Sequence, residues 1–430
     1  MGDVIRLVDN LQLMAVDTSA VGKRYLLTTD KGRQFELSEM MADVVFALKD
    51  DGDLERVAQR LSEQWKQELS IEHLELIIEY YLKKWELIDH DYNTGPAPEQ
   101  IQASEGKQRL DQIHFRFIIL TASALKPIAR LTVYFYCREL SIILLTVALW
   151  VHYVVLRDFE SNRLAQTIFN SAGSSYLKIY ALLLICVLWH ELGHVSALAR
   201  FGRDAKGIGF GIYFVFPVMY TDVSDCWALK RWQRVIVDCG GIYFQAITAL
   251  PLYGLYLMTN SPIPIFMILV NLSLILLTLN PILKFDGYWM LSDALGVINF
   301  REKSLALISH YFRRFVLRQR AEMSERLRFP RSIKAFSLIY GICSSILLTV
   351  WILGLFFYAP RMLSSYLLVV LQSGSVVGKM ISELELVKSA GVILRLLLQA
   401  IPIFAILALL YRINKRLIQF ATARLGKEHR

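Results

Sequence analysis

The chain has 430 residues, 55% of them hydrophobic, with a formal net charge of +9 and a mean hydropathy of +0.40. That length allows two or three domains, and apolar residues gathered in blocks exclude an ordinary soluble enzyme. Residues 1–100 carry 11 Lys/Arg and 20 Asp/Glu, the other 330 carry 36 and 18, and the basic excess lies between apolar runs as in membrane proteins, with no basic stretch interleaved with aromatics to suggest nucleic acid.

Three short strands open the chain: LQLMAV (11–16), KRYLLTT (23–29) and RQFELS (33–38), with Asp30-Lys31-Gly32 as the turn between the last two. Ser38 is placed to cap a helix whose inner face is Met41, Val44, Val45 and Leu48. Asp53 caps a second helix with Leu54, Val57, Ala58 and Leu61 inward, and Ser70 a third with Leu74, Ile77, Ile78 and Tyr81 inward. Three strands followed by three helices predict a small winged-helix-like α+β domain over 1–95. NTGPAPEQIQASEGKQ marks a linker, taken as 96–112.

Beyond it, Phe115–Leu131 is apolar but interrupted by Arg116, Lys126, Pro127 and Arg130, a pattern that predicts an interfacial helix. Six candidate spans follow, near 140–156, 177–198, 235–258, 263–283, 335–358 and 393–411, each approaching the ~20 residues a bilayer core needs. Basic residues are dense in 200–234, 301–334 and 412–430 and sparse in 157–178 and 359–391. The positive-inside bias then predicts both termini on the cytoplasmic side. The expected fold class is mainly α, a polytopic membrane protein with about six transmembrane helices plus the small α+β domain. The expected domains are 1–95, the 96–112 linker, a membrane core with its interfacial helix over 113–300, a basic cytoplasmic segment over 301–334, and C-terminal spans with a basic tail over 335–430. Five cysteines without a CxxC pair suit reduced thiols better than a disulfide framework.

Within the second span lies LWHELGHVSAL, carrying His190, Glu191 and His194. Ionisable residues in hydrocarbon are a functional hypothesis by default. Positions i and i+4 share a helix face, so both imidazoles can bind one metal while Glu191, beside them, can take a proton. The bland alternative is two core histidines and a snorkelling glutamate. A catalytic zinc site usually has three protein ligands. The best third candidate is Asp286 in LNPILKFDGYWMLSD, where Asn280, Pro281 and Gly287 would break the helix. Asp222, Asp225, Asp238 and Asp293 are rivals; Asp222 and Asp225 fit loop shaping or substrate binding better. Cys186, one turn before His190, reads as an apolar filler rather than a thiolate ligand.

HELGH in one span and NP….DG in a later one resemble the site-2-protease family of intramembrane zinc metalloproteases. The resemblance implies a site-2-protease-like core in which His190, His194 and Asp286 bind Zn2+, Glu191 is the general base, and Asn280 holds the substrate strand. Four residues separate Pro281 from Asp286, more than the usual family spacing. GIGFGIYFVFPVMYTDVSDCW (207–227) resembles the peptide zinc metalloprotease branch and suits a strand or hairpin that pairs with an extended substrate. The N-terminal module is similar to PqqD-like leader-binding domains, with Trp85 where a glycine is usual.

Together these imply a membrane zinc metalloendopeptidase that matures a ribosomally made peptide. Its partners would be a leader-bearing substrate, the lipid bilayer and a peptide-modifying enzyme or exporter, and its location the bacterial cytoplasmic membrane. The competing classes are a non-proteolytic zinc-binding transporter or receptor, and a leader-binding scaffold.

Overall fold

A computed structural model describes residues 5–88 (without 6, 9, 19–22, 30–33, 68, 84 and 86), 105–106, 113–158, 173–319 (without 214–215), 327, 329–382 and 386–428. The Asp30-Lys31-Gly32 turn and most of the linker fall outside them. The chain forms two compact units: one of Met1–Asp111, Trp227–Trp232 and Ser292–Gly341, the other of Gln112–Cys226, Gln233–Leu291 and Ile342–Arg430. They do not follow chain order as the expected domains do, because two later stretches join the N-terminal module.

In the first unit, β1 (Gln12–Val16), β2 (Arg24–Thr28) and β3 (Gln34–Ser38) form an antiparallel meander. A two-residue strand, β4 (Glu105–Gly106), pairs with Gln34 and Phe35 of β3, so part of the expected linker is sheet. Helices α1 (Glu39–Asp50), α2 (Leu54–Trp65) and α3 (Ile71–Ile77) follow, α3 running on into a π turn, Ile78–Lys83. Each begins where a side chain satisfies orphan amides: Ser38 accepts from Met41 N, Asp53 from Glu55 N and Arg56 N, and Ser70 from His73 N. Such caps contribute about 1 kcal/mol each.

The strand alternation divides the sheet's side chains between two layers. Leu27, Phe35 and Leu37 face the helices and pack with Val44, Val45, Leu48, Leu61, Leu74 and Leu82. Trp85 belongs to this core, stacked on Phe35 at 4.9 Å. Val16 and Leu26 pack instead with Trp227 and Ile298. On β3, Glu36 accepts from Lys303 Nζ at 2.8 and 3.0 Å. Lys303 belongs to α11 (Phe300–Phe315), so the expected basic segment is in part a packed helix with Phe300, Ser304, Leu307 and His310 buried.

The second unit holds a three-stranded antiparallel sheet, ordered β5 (Ile113–Thr121), β6 (Gly207–Tyr213), β7 (Phe216–Asp222). This corrects the expected interfacial helix. Residues 113–121 are a strand, and only α4 (Ala122–Thr132) is helical. IHFRFIILT is rich in β-branched and aromatic residues, and pairing with β6 gives its backbone the hydrogen bonds a helix would make internally. Around the sheet lie α5 (Arg138–Arg157), α6 (Gly173–Arg200), α7 (Arg231–Ile247), α8 (Ala249–Thr259), α9 (Pro262–Thr278) and α10 (Asp286–Leu295). Two long helices, α12 (Arg331–Ser382) and α13 (Leu386–Glu428), complete the chain.

Four stretches among the described residues are long and apolar enough to cross a membrane: Arg138–Arg157, Lys178–Arg200, Arg231–Thr259 and Arg331–Lys379. They coincide with four of the six expected spans, 140–156, 177–198, 235–258 and 335–358. The expected 263–283 span is only the 17-residue α9, about 26 Å of helix against a core of about 30 Å. It stops at Leu279 because Asn280-Pro281 cannot continue it. The 335–358 span runs on through Pro360 as part of α12, and the 393–411 span lies within α13. Exposed Ile142, Leu149 and Trp150 on α5 and Leu347, Leu353 and Phe357 on α12 fit a lipid-facing surface.

The Glu36–Lys303 pair generates a stability test. The two side chains are 11% and 12% exposed, and stripping one member from a buried pair costs about 3–5 kcal/mol. Glu36→Leu should lower the stability of this unit by about 3 kcal/mol, and Lys303→Met added to it should recover most of the loss, read by urea denaturation under tryptophan fluorescence.

Candidate metal centre

His190 and His194 lie one turn apart on α6, both buried, and both imidazoles face Asp286 at the start of α10. Asp286 Oδ2 is 3.1 Å from His190 Nε2 and 3.5 Å from His194 Nε2, and the two Nε2 atoms are 3.3 Å apart. Among the described residues, these three form the one group of His, Cys, Asp or Glu side chains whose ligand atoms all lie within 4.8 Å of one another. The rivals do not join it. Asp222 Oδ1 accepts from Ser224 N and Ser224 Oγ, Asp225 pairs with Lys206 at 3.5 Å, and Asp238 and Asp293 are buried elsewhere. Cys186 sits in an apolar cluster with Val151, Val155 and Met267.

The protons on the two rings are fixed by what lies behind them. His190 Nδ1 is 3.1 Å from Gln245 Oε1, and His194 Nδ1 is 2.8 Å from the Val237 carbonyl. Each acceptor suits an Nδ1–H, and in the neutral ring that leaves the Nε2 lone pair available to a metal. Asp286 Oδ2 is buried and accepts no hydrogen bond among the described residues. Two imidazole nitrogens and a carboxylate oxygen thus converge within 3.5 Å, an arrangement that a cation would stabilise. Two imidazoles and a carboxylate are a donor set that suits zinc.

Helix packing makes room for that cation. At Gly193 on α6 and Gly240 on α7 the backbones touch, since a Cβ on Gly193 would collide with the Gly240 carbonyl. Tyr136 braces the crossing by donating to the Gly193 carbonyl at 3.0 Å. One residue on, a Cβ on Gly241 would lie 2.5 Å from His190 Nε2, His190 Cε1 and His194 Nε2. The glycine therefore keeps open the space into which both lone pairs point. Asp286 arrives by the break after α9. Asn280 Oδ1 accepts from Ile282 N at 2.8 Å, tightening the turn, and a Cβ on Gly287 would strike the Leu279 carbonyl. Asn280 thus spends its oxygen on its own turn and is not part of the cluster.

Glu191 lies on the same helix turn and is 6% exposed. Thr221 on β7 donates to its Oε2 at 2.7 Å, with the Glu191 carbonyl at 3.2 Å. Two imidazoles and a carboxylate with a second carboxylate adjacent are a donor set that can serve hydrolysis at a metal.

The chain is similar to a curated protein. Over 128 residues it is 29% identical to the "Putative peptide zinc metalloprotease protein YydH" of Bacillus subtilis (strain 168). The match covers 29% of this chain and 49% of that protein, so it spans about half the relative's length. No family model and no solved structure matches the chain.

Sequence reasoning reached His190, Glu191, His194 and Asp286 but not their supports. Gln245 carried a usable signal, a glutamine inside an otherwise apolar run, and so did the helical pair Gly240-Gly241. Thr221 and the Val237 carbonyl carried none, because only the fold brings them near α6.

Two substitutions test this geometry. Gly241→Ala should abolish metal binding while leaving the helix intact, since alanine favours a helix by about 1 kcal/mol over glycine. Gln245→Leu should weaken zinc affinity about 10–100-fold by freeing the His190 ring. Zinc titration of purified protein, with metal content by mass spectrometry, reads both.

Proposed function

We propose that this chain is an intramembrane zinc metalloprotease of the site-2-protease type, acting in the maturation of a ribosomally made peptide. The observation that carries this reading is the convergence of His190, His194 and Asp286, with Glu191 on the same helix turn, inside a helix apolar enough to cross a membrane. The similarity to a protein named as a peptide zinc metalloprotease supports the metalloprotease part.

His190, His194 and Asp286 would hold the zinc. When bound, zinc supplies a Lewis acid for the scissile carbonyl and lowers the pKa of water towards about 7. Glu191 accepts the proton of the attacking water and returns it to the leaving amine. Burial of Glu191 and both histidines excludes bulk water, which strengthens each of these interactions. The substrate lies extended along β7, an outer strand of its sheet among the described residues, and takes main-chain hydrogen bonds there. Asn280 contributes to holding that strand once substrate enters the turn it caps.

The N-terminal module captures the leader of the precursor at a sheet edge, as PqqD-like domains do. β4 pairs with Gln34 and Phe35 of β3 only. The module is not a detachable appendage, since Trp227, Ile298 and Lys303 cover the second face of its sheet. Deleting 1–95 would uncover those residues, so substitutions test leader binding more cleanly than truncation. A peptide-modifying enzyme or an exporter would share the same precursor at the cytoplasmic membrane.

The deciding experiment incubates zinc-loaded protein with peptides encoded beside its gene and locates any cut by mass spectrometry. Glu191→Ala should retain zinc and lose at least about 100-fold in turnover, whereas His190→Ala and Asp286→Ala should lose zinc as well. Undiminished cleavage by Glu191→Ala would sink the mechanism. Metal flux into vesicles without cleavage would replace it with transport.

A further inference from the structure

We propose that Thr221 is the positioning residue of the reaction: its hydroxyl fixes the Glu191 carboxylate, so that the base is held by the β-sheet and not by its own helix alone. The effect on turnover rests on the proteolytic reading above, while the hydrogen bond does not.

The geometry is specific. Thr221 and Glu191 are 8% and 6% exposed, and the hydroxyl reaches Oε2 at 2.7 Å, a short distance typical of donation to a charged oxygen. A hydroxyl has one proton to give. With Oε2 at 2.7 Å and the Glu191 carbonyl at 3.2 Å, the carboxylate takes the stronger share. One oxygen of Glu191 is thereby committed, and the other remains for the proton it must carry. A free glutamate has three side-chain torsions to explore, and a base that wanders loses catalytic alignment.

The anchor itself is rigid. Thr221 pairs with Ile208 in the β6–β7 ladder, one residue before Asp222 closes the turn onto Ser224. The Lys206 amide donates to the Asp222 carbonyl at 3.0 Å on the other side of the same corner. β7 is also an edge strand of its sheet. A peptide that adds to β7 therefore loads the strand that holds the base, which aligns scissile bond and base through one element.

The test compares wild type, Thr221→Val, Thr221→Ala, Thr221→Ser and Glu191→Gln as full-length, zinc-loaded protein. Three quantities are read: zinc per chain, kcat and KM on a cleaved peptide, and the Glu191 carboxylate band, isolated as the infrared difference between wild type and Glu191→Gln. Thr221→Val and Thr221→Ala should keep full zinc and a KM within about 3-fold, lose roughly 10–100-fold in kcat, and shift the band. Thr221→Ser, which keeps the hydroxyl, should restore both. An unmoved band or unchanged kcat in both truncations overturns the proposal. So does loss of zinc, or a serine variant as impaired as the valine one, since each means a packing role. If wild type cuts nothing, the proteolytic reading falls and the band comparison alone decides on Thr221.

Discussion

Everything at the metal centre depends on two helices meeting backbone to backbone. The contact between Gly193 on α6 and Gly240 on α7 brings the helices closer than any side chain would allow. In lipid, where apolar side chains gain little by leaving one apolar medium for another, small residues at such a crossing are a main source of helix association. That proximity then fixes the chemistry. Val237 and Gln245, both on α7, are near enough to bind the Nδ1 atoms of His194 and His190. Gly241 faces the gap between the two Nε2 atoms. A wider crossing would leave the rings free to rotate, and the lone pairs would no longer converge.

The third arm reaches the cluster by a different route. α9 ends at Asn280-Pro281, the chain turns, and α10 begins with Asp286 as its first residue. A carboxylate at a helix N-terminus is favoured by the helix dipole. The turn is tightened by the Asn280 side chain and permitted by Gly287. Non-helical backbone of this kind inside an apolar region is tolerated where it lines a functional cavity.

The convergence of His190, His194 and Asp286 was legible in the sequence because each part leaves a local mark. The HELGH spacing is meaningful only on a helix, and NP with DG signals a break. The N-terminal strands, caps and helix faces were legible for the same reason: alternation, capping residues and 3.6-residue periodicity are properties of short windows. Residues 113–121 were misread because an apolar run punctuated by charge satisfies both an interfacial helix and a strand, and the deciding partner, β6, lies about 90 residues away. The expected 263–283 span differs from the described helix for a related reason. Hydropathy counts apolar residues but not helix ends, and the break at Asn280 shortens α9. Thr221, the Val237 carbonyl and the pairing of Glu36 with Lys303 are long-range contacts with no local signature at all.

The three glycines at the crossing carry a consequence for how the chain can change. Glycine inside a helix costs about 1 kcal/mol relative to alanine. Gly193, Gly240 and Gly241 therefore hold the site at the expense of intrinsic helix stability. A screen for heat-resistant variants would favour alanine at such positions, and at Gly241 the added methyl would fill the space between the two Nε2 atoms. Helix stability and an open space between the two imidazoles are thus opposed at a single carbon atom, so the protein cannot be improved in one without regard to the other.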